Sequence, residues 1–222
     1  MNTSPSTGYP LWDLATRIFH WSLLVCVLLA WWSAEYENHT IHEWTGYTII
    51  VLVVSRVAWG FFGSQHSRFQ DFLAGPSAVL DYIRGNGPKT VGHNPLGGWS
   101  VMALLALLLM QAISGLFNSD DVLFSGPLYY AAEGPFRDTM GVVHELAFNV
   151  LLGLIVLHIL AVLYHQFHRG EKLIQAMVRG RADDREGETA PTSAWRALAT
   201  LLVVAVFLWW IISRAPQPVP VW

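Results

Sequence analysis

Residues 143–167 read VHELAFNVLLGLIVLHILAVLYHQF. From Leu146 to His168 there is no Asp, Glu, Lys or Arg, and roughly 20 mostly apolar residues suffice for a helix to cross a hydrocarbon core of about 30 Å. Of the three histidines in the quoted stretch, His144 and His158 lie fourteen residues apart, with His165 beyond them. Fourteen residues turn a helix through about 1400°, within about 40° of four full turns, and raise it about 21 Å. Both imidazoles therefore leave nearly one face, one toward each side of the membrane. Ionisable side chains inside a span are costly and are functional candidates by default.

Four further segments around this one are long and apolar enough to span, at about 14–34, 41–62, 99–117 and 197–212, with the quoted span itself at about 142–164. Composition agrees. Of 222 residues, 53% are hydrophobic and 13% charged, against about a quarter charged in a soluble domain. A disordered chain, a nucleic-acid binder with a basic surface and a disulfide-stapled module are excluded. The expected fold is an all-α integral membrane protein. The first span is expected to be retained, because MNTSPSTGYPLWD lacks the basic region of a signal peptide and no small-x-small site follows.

Lys and Arg concentrate on the cytoplasmic side of membrane proteins. Arg17 lies at the amino-terminal end of the first span. Arg68, Arg84 and Lys89 lie between the second and third spans, and Arg169, Lys172, Arg179, Arg181, Arg185 and Arg196 between the fourth and fifth. The other two links hold only Arg137 against Glu35, Glu37, Glu43, Asp120, Asp121, Glu133 and Asp138. The expected topology is amino terminus inside and carboxyl terminus outside. A short surface helix is expected near Ser77–Arg84 between Gly-Pro and Gly-Asn-Gly breakers. The outer segment DDVLFSGPLYYAAEGPFRD reads as an ordered interfacial loop, and RADDREGETAPT as a solvated linker.

His20 lies near the inner end of the first span and His42 near the outer end of the second. Depth thus offers two partnerships, His20 with His158 inside and His42 with His144 outside. Two His from facing helices at matched depth meet the requirement for bis-imidazole ligation of haem iron. Without a Cys-x-x-Cys-His motif such haem would be b-type. Gly46, one turn after His42, could admit a porphyrin edge, although small residues also serve ordinary helix packing. Arg56, fourteen residues after His42, shares that face at the inner depth, where a haem propionate would neutralise it. Arg17 is a second propionate candidate or a snorkelling side chain. His39 rivals His42 as the outer ligand. His165 rivals His158, or lines a quinone pocket, or is merely interfacial. His66, His93 and His168 are expected to be solvated. Zinc at His39 and His42 lacks further ligands, and Cys26 reads as a small apolar residue.

These stretches, with RIFHW at His20, IHEWTGY at His42 and RVAWGFFGSQHSRFQDF leaving the second span, resemble the bacterial cytochrome b561 and nickel-iron hydrogenase b-type cytochrome group. The resemblance covers about Leu11 to Gly180. It implies a four-helix transmembrane bundle holding two haems b ligated by His20, His42, His144 and His158. It also implies electron exchange between a quinone pool, ubiquinone or menaquinone, and a periplasmic cytochrome c or hydrogenase-type redox subunit. The expected organisation is a dihaem domain over residues 1–180, a cytoplasmic linker over 181–195, and an added transmembrane helix with a short outer tail over 196–222. Competing readings are a stand-alone quinone-linked oxidase of a small oxidant such as superoxide, a haem-free proton or ion transporter, and a structural anchor. The acidic outer loops would steer a basic partner.

Overall fold

The computed structural model describes residues 8–87, 90–120, 124–182 and 185–216. Lys89, Asp121 and the tail from Gln217 onward, each used above, lie outside that range. The described chain is helical, in the order α1 (Leu14–Glu35), α2 (His39–Phe62), α3 (Phe69–Phe72), α4 (Pro76–Ile83), α5 (Pro95–Gly115), α6 (Gly134–Leu163), α7 (Leu173–Arg179) and α8 (Ala194–Ser213). A π-helical turn, Tyr164–His168, continues α6. Five helices are long and apolar enough to cross a membrane: α1, α2, α5, α6 with its π turn, and α8. The chain is a multi-pass membrane protein.

Helix ends follow local chemistry. The helix α5 starts four residues before the expected 99, because Asn94 caps it: Gly97 N–H donates to Asn94 Oδ1 at 2.7 Å, with Pro95 at the first position. The helix α6 starts eight residues before 142, with Pro135 in its first turn. Its polar Arg137, Asp138 and Thr139 hide that turn from hydropathy. The expected surface helix is α4, one residue earlier than read.

Two compact units make up the chain, the first from Met1–Trp21, Arg56–Leu104 and Leu154–Leu198, the second from Ser22–Ser55, Leu105–Gly153 and Ala199–Trp222. In the first, Leu11, Trp12, Ala176 and Ala182 form an apolar cluster, and Trp59, Phe69 and Phe72 are buried. In the second, Val53 is fully buried, and Ile49, Ile50, Leu105, Leu108, Ala147 and Leu151 are also buried. Of the spanning helices α2 is the most enclosed, with 44% of its apolar window buried against 6–17% for the others. The remaining apolar faces suit lipid, which is as apolar as Leu and leaves van der Waals packing to hold helices together.

The segment after α7 departs from a solvated linker. Gly187 N–H donates to Tyr9 O at 3.0 Å, Gln65 Nε2 to Glu188 Oε2 at 3.2 Å, and Thr192 N–H to Ser64 Oγ at 2.9 Å. Gly187, Glu188 and Thr192 thus tie this partly exposed segment to the rest of the first unit, which composition does not reveal.

Candidate dihistidine sites

In the second unit a tight reversal positions His42. Asn38 N–H donates to Ser33 O at 2.8 Å and Glu37 N–H to Ala34 O at 3.2 Å. Glu37 takes the left-handed conformation (φ 53°) in which helix-ending glycines are usual. Asn38 then accepts from Ile41 N–H at 3.1 Å and starts α2. This three-residue link returns His42 to the end of α1, where its Nδ1 lies 3.0 Å from Ala30 O. A carbonyl only accepts, so Nδ1 carries the proton and Nε2 keeps its lone pair.

His144 on α6 obeys the same logic. Its Nδ1 lies 2.9 Å from Gln111 O and 3.1 Å from Ser114 Oγ, which puts the proton on Nδ1 and the lone pair on Nε2, where it accepts from the Gln111 side-chain amide. The His42 and His144 ring centroids are 6.3 Å apart, with the planes at 75°. Two imidazoles that bind one ion at about 2 Å each place their centroids roughly 6 Å apart. Gln111 Nε2 lies 3.0 Å from His144 Nε2, while Gln111 Oε1 is buried without a hydrogen-bond partner. A Cβ on Gly115 would stand 3.0 Å from His144 Cε1. Gly46 faces open space, with nothing within 4 Å of such a Cβ.

In the first unit His20 and His158 lie within electrostatic reach of each other. His20 Nδ1 is buried without a partner, and its ring stands edge-on to Trp21 at 5.1 Å. Arg56 is 4% exposed, with its guanidinium 5.9 Å from the Phe69 ring centre. Asp13 is its acidic neighbour, yet Arg56 NH1 is buried and unpartnered. Arg17 NH1 donates to Val178 O at 2.9 Å, at the carboxyl end of α7, which suits a cation. Arg17 Nε is buried without a partner.

The remaining histidines divide by tertiary context. His39 Nε2 lies 3.4 Å from Asp120 Oδ2, and its ring stacks on Phe124 at 5.3 Å. His165 Nδ1 lies 3.1 Å from Glu171 Oε1, and Arg185 NH2 is 2.7 Å from Glu171 Oε2. Burial would raise the Glu171 carboxyl, but bonds from Arg185 and His165 outweigh it and hold it below the usual range. His168 is exposed and stacks with Tyr164. The other two depart from the solvated expectation. His66 is 6% exposed and faces Asp71 Oδ2 at 2.8 Å. His93 sits between Trp12 and Phe72, each ring 4.7 Å away. Burial, with Arg56 nearby, pushes its pKa down to about 3.

Sequence reading also passed over Gln111, Ser114 and Gly115, although polar and small residues three and four apart in an apolar run are a visible signal. Among the described residues no group of three or more His, Cys, Asp or Glu converges on a metal site. The candidate donors are imidazole pairs, a set that would leave the remaining ligands of an iron to a tetrapyrrole. Proton-bearing Nδ1 atoms on backbone carbonyls, the unpartnered Arg56 NH1 and the open face at Gly46 all fit a haem. A family model described as prokaryotic cytochrome b561 matches residues 11–180. No curated protein and no solved structure matches the chain.

Proposed function

The chain belongs to the prokaryotic cytochrome b561 family, whose members are haem b proteins of membrane electron transfer, and we propose that it carries two haems b and moves electrons between a quinone and a second redox partner. The observation that carries this reading is the His42–His144 pair, 6.3 Å between ring centroids, with each Nδ1 committed to a backbone carbonyl. When bound, haem iron supplies one-electron exchange between its ferric and ferrous states.

The chain's residues hold and tune that chemistry. His42 with His144, and His20 with His158, are the residues that would hold the two haems, at the outer and inner depth respectively. The backbone carbonyls of Ala30 and Gln111 orient the outer pair and raise its basicity. Arg56, and to a lesser degree Arg17, is the propionate partner at the inner site, where a bidentate pair would satisfy the idle NH1. The basic residues between spans two and three, and between four and five, support the inside-amino, outside-carboxyl topology in a bacterial inner membrane. Residues 1–180 form the dihaem domain, 181–195 the cytoplasmic link and 196–222 the added helix with its tail. The outer partner is a periplasmic cytochrome c or a hydrogenase-type subunit.

The test is spectroscopic. Purified protein is expected to show Soret and alpha bands and two haems per chain; a colourless protein would return the reading to a transporter. A substitution probes the outer site alone. Val at Gly115 drives methyl groups into the His144 ring, which a Cβ would already approach to 3.0 Å. Gly115→Val is expected to lower haem content from two per chain to about one, with the inner haem's spectrum intact. Gly115→Ala should produce a smaller loss.

A further inference from the structure

Along α6 the residues Glu145, Asn149 and Gly153 stand four apart, which places them in one row on the helix surface. All three are exposed, and so are their neighbours Val142 and Leu146. Counted from His144, Asn149 is turned through about 140° and Gly153 through about 180°. The row therefore lies on the side of α6 away from the imidazole that meets His42. All of it belongs to the second unit.

Lipid is a poor cover for this row. Asn149 lies inside the uncharged run, and the exposed residues flanking it, Leu146, Phe148, Val150 and Leu152, are apolar. A carboxamide has two N–H donors and an oxygen with two lone pairs. Asn149 Nδ2 donates once, to Glu145 O at 2.9 Å. Among the described residues its second N–H and its Oδ1 meet no partner. Hydrocarbon offers none, so an amide left idle there is costly. Gly153 is the second anomaly. A Cβ built on it would meet nothing within 4 Å, so the chain itself makes no use of the space that this glycine opens. Glycine is a poor helix former, and in membrane helices small residues serve the close approach of another backbone.

These features select the occupant. Two-fold symmetry about the membrane normal sets each residue of one copy against the same residue of the other. A carboxamide is its own complement: the free N–H of one Asn149 meets the Oδ1 of the other, and the reverse. Rows of four-residue spacing that pack together cross at roughly 40–50°, here with Gly153 at the closest approach. Toward the amino-terminal end of the span the helices then diverge, which separates the two Glu145 carboxylates and lets them reach water. A foreign helix would need a matching donor and acceptor at the same depth, and a second copy already carries both. We propose that the chain forms a two-fold dimer in the membrane through the Asn149–Gly153 row of α6, with the two Asn149 amides hydrogen-bonded to each other.

The experiment uses the full-length holoprotein in liposomes, labelled at the amino terminus in two batches with donor and acceptor fluorophores. Energy transfer is expected in the wild type and should fall with lipid dilution as a dimer requires. Asn149→Leu should raise the dissociation constant about ten-fold, and Gly153→Ile at least as much. Helix content and haem content should stay unchanged, because neither side chain faces the imidazoles. Asn149→Gln should recover part of the loss. Cross-linking in native membranes reads the position, with the single cysteine, Cys26, replaced by alanine. Gly153→Cys is expected to give a disulfide-linked dimer, whereas Leu152→Cys, about 100° around the helix, is not. Absence of energy transfer at every lipid ratio, wild-type association in Asn149→Leu, or equal cross-linking from Leu152→Cys would each overturn the proposal. A cross-link from Gly153→Cys to a different protein would overturn the choice of a second copy as occupant.

Discussion

His42→Ala and His144→Ala are each expected to remove the same single haem, taking the content from two per chain to one. His20→Ala and His158→Ala remove the other. Each haem b would be held by two imidazoles and by packing alone, with no covalent tether to compensate for the loss of either histidine. The two residues of a pair then behave as one unit, so the double variant His42→Ala/His144→Ala should be no worse than either single variant, the non-additivity expected of groups sharing one site. Two spectrally distinct alpha bands, lost pairwise, provide the readout. If His144→Ala and His158→Ala instead abolish one common haem, the cross-helix pairing is wrong. Changing only the orienting shell is a milder perturbation. Removal of such contacts typically costs 10–100-fold in metal affinity, so Ser114→Ala should weaken outer haem retention without eliminating it.

Asp13→Ala is expected to destabilise the first unit by roughly 3–5 kcal/mol, the usual range when one partner of a buried charged network is removed. For a chain of this size that is a fall in Tm on the order of 10 °C. Asp13 is 3% exposed and joins α1, α2 and the Ser64–Ser67 turn. Its Oδ1 caps α1 by accepting Thr16 N–H at 2.6 Å. Its Oδ2 accepts Trp59 Nε1–H at 3.1 Å and the Ser67 hydroxyl at 3.2 Å, and Arg56 gains a counter-charge. Burial alone would raise the carboxyl, but hydrogen bonds from Ser64, Thr16 and Trp59 outweigh it and hold it below the ordinary value. A depressed folded-state pKa contributes stability that is present above the unfolded value, about 4, and is lost as pH falls through the folded one. The wild type should therefore lose stability below about pH 4, while Asp13→Asn, less stable at neutral pH, should show a flatter acid limb. Thermal melts of both between pH 3 and pH 7 check this. Equal acid slopes would show that Asp13 is not the group responsible.

Much of this was legible without coordinates. Apolar runs of twenty residues located all five spanning helices, since in hydrocarbon a backbone must satisfy its own hydrogen bonds within the helix. The fourteen-residue interval between His144 and His158 fixed their common face, because helical periodicity is local. Span ends were read less well: Pro135 and Asn94 act by turn and cap geometry, which hydropathy does not register. His66 and His93 were misread because single-residue polarity says nothing about what the loop folds against. Trp12, eighty-one positions from His93, is part of what buries it.

The division has a physical cause. Sequence alone determined what depends on near neighbours: helices, their membrane character, the basic-residue asymmetry and the spacing of imidazoles. Tertiary structure decided which side chains meet. The three-residue reversal at Tyr36–Asn38 brings His42 to Ala30 O and leaves His39 with Asp120. The Asp13 network and the burial of His93 exist only because segments distant in the chain return to one place, and no local pattern encodes that return.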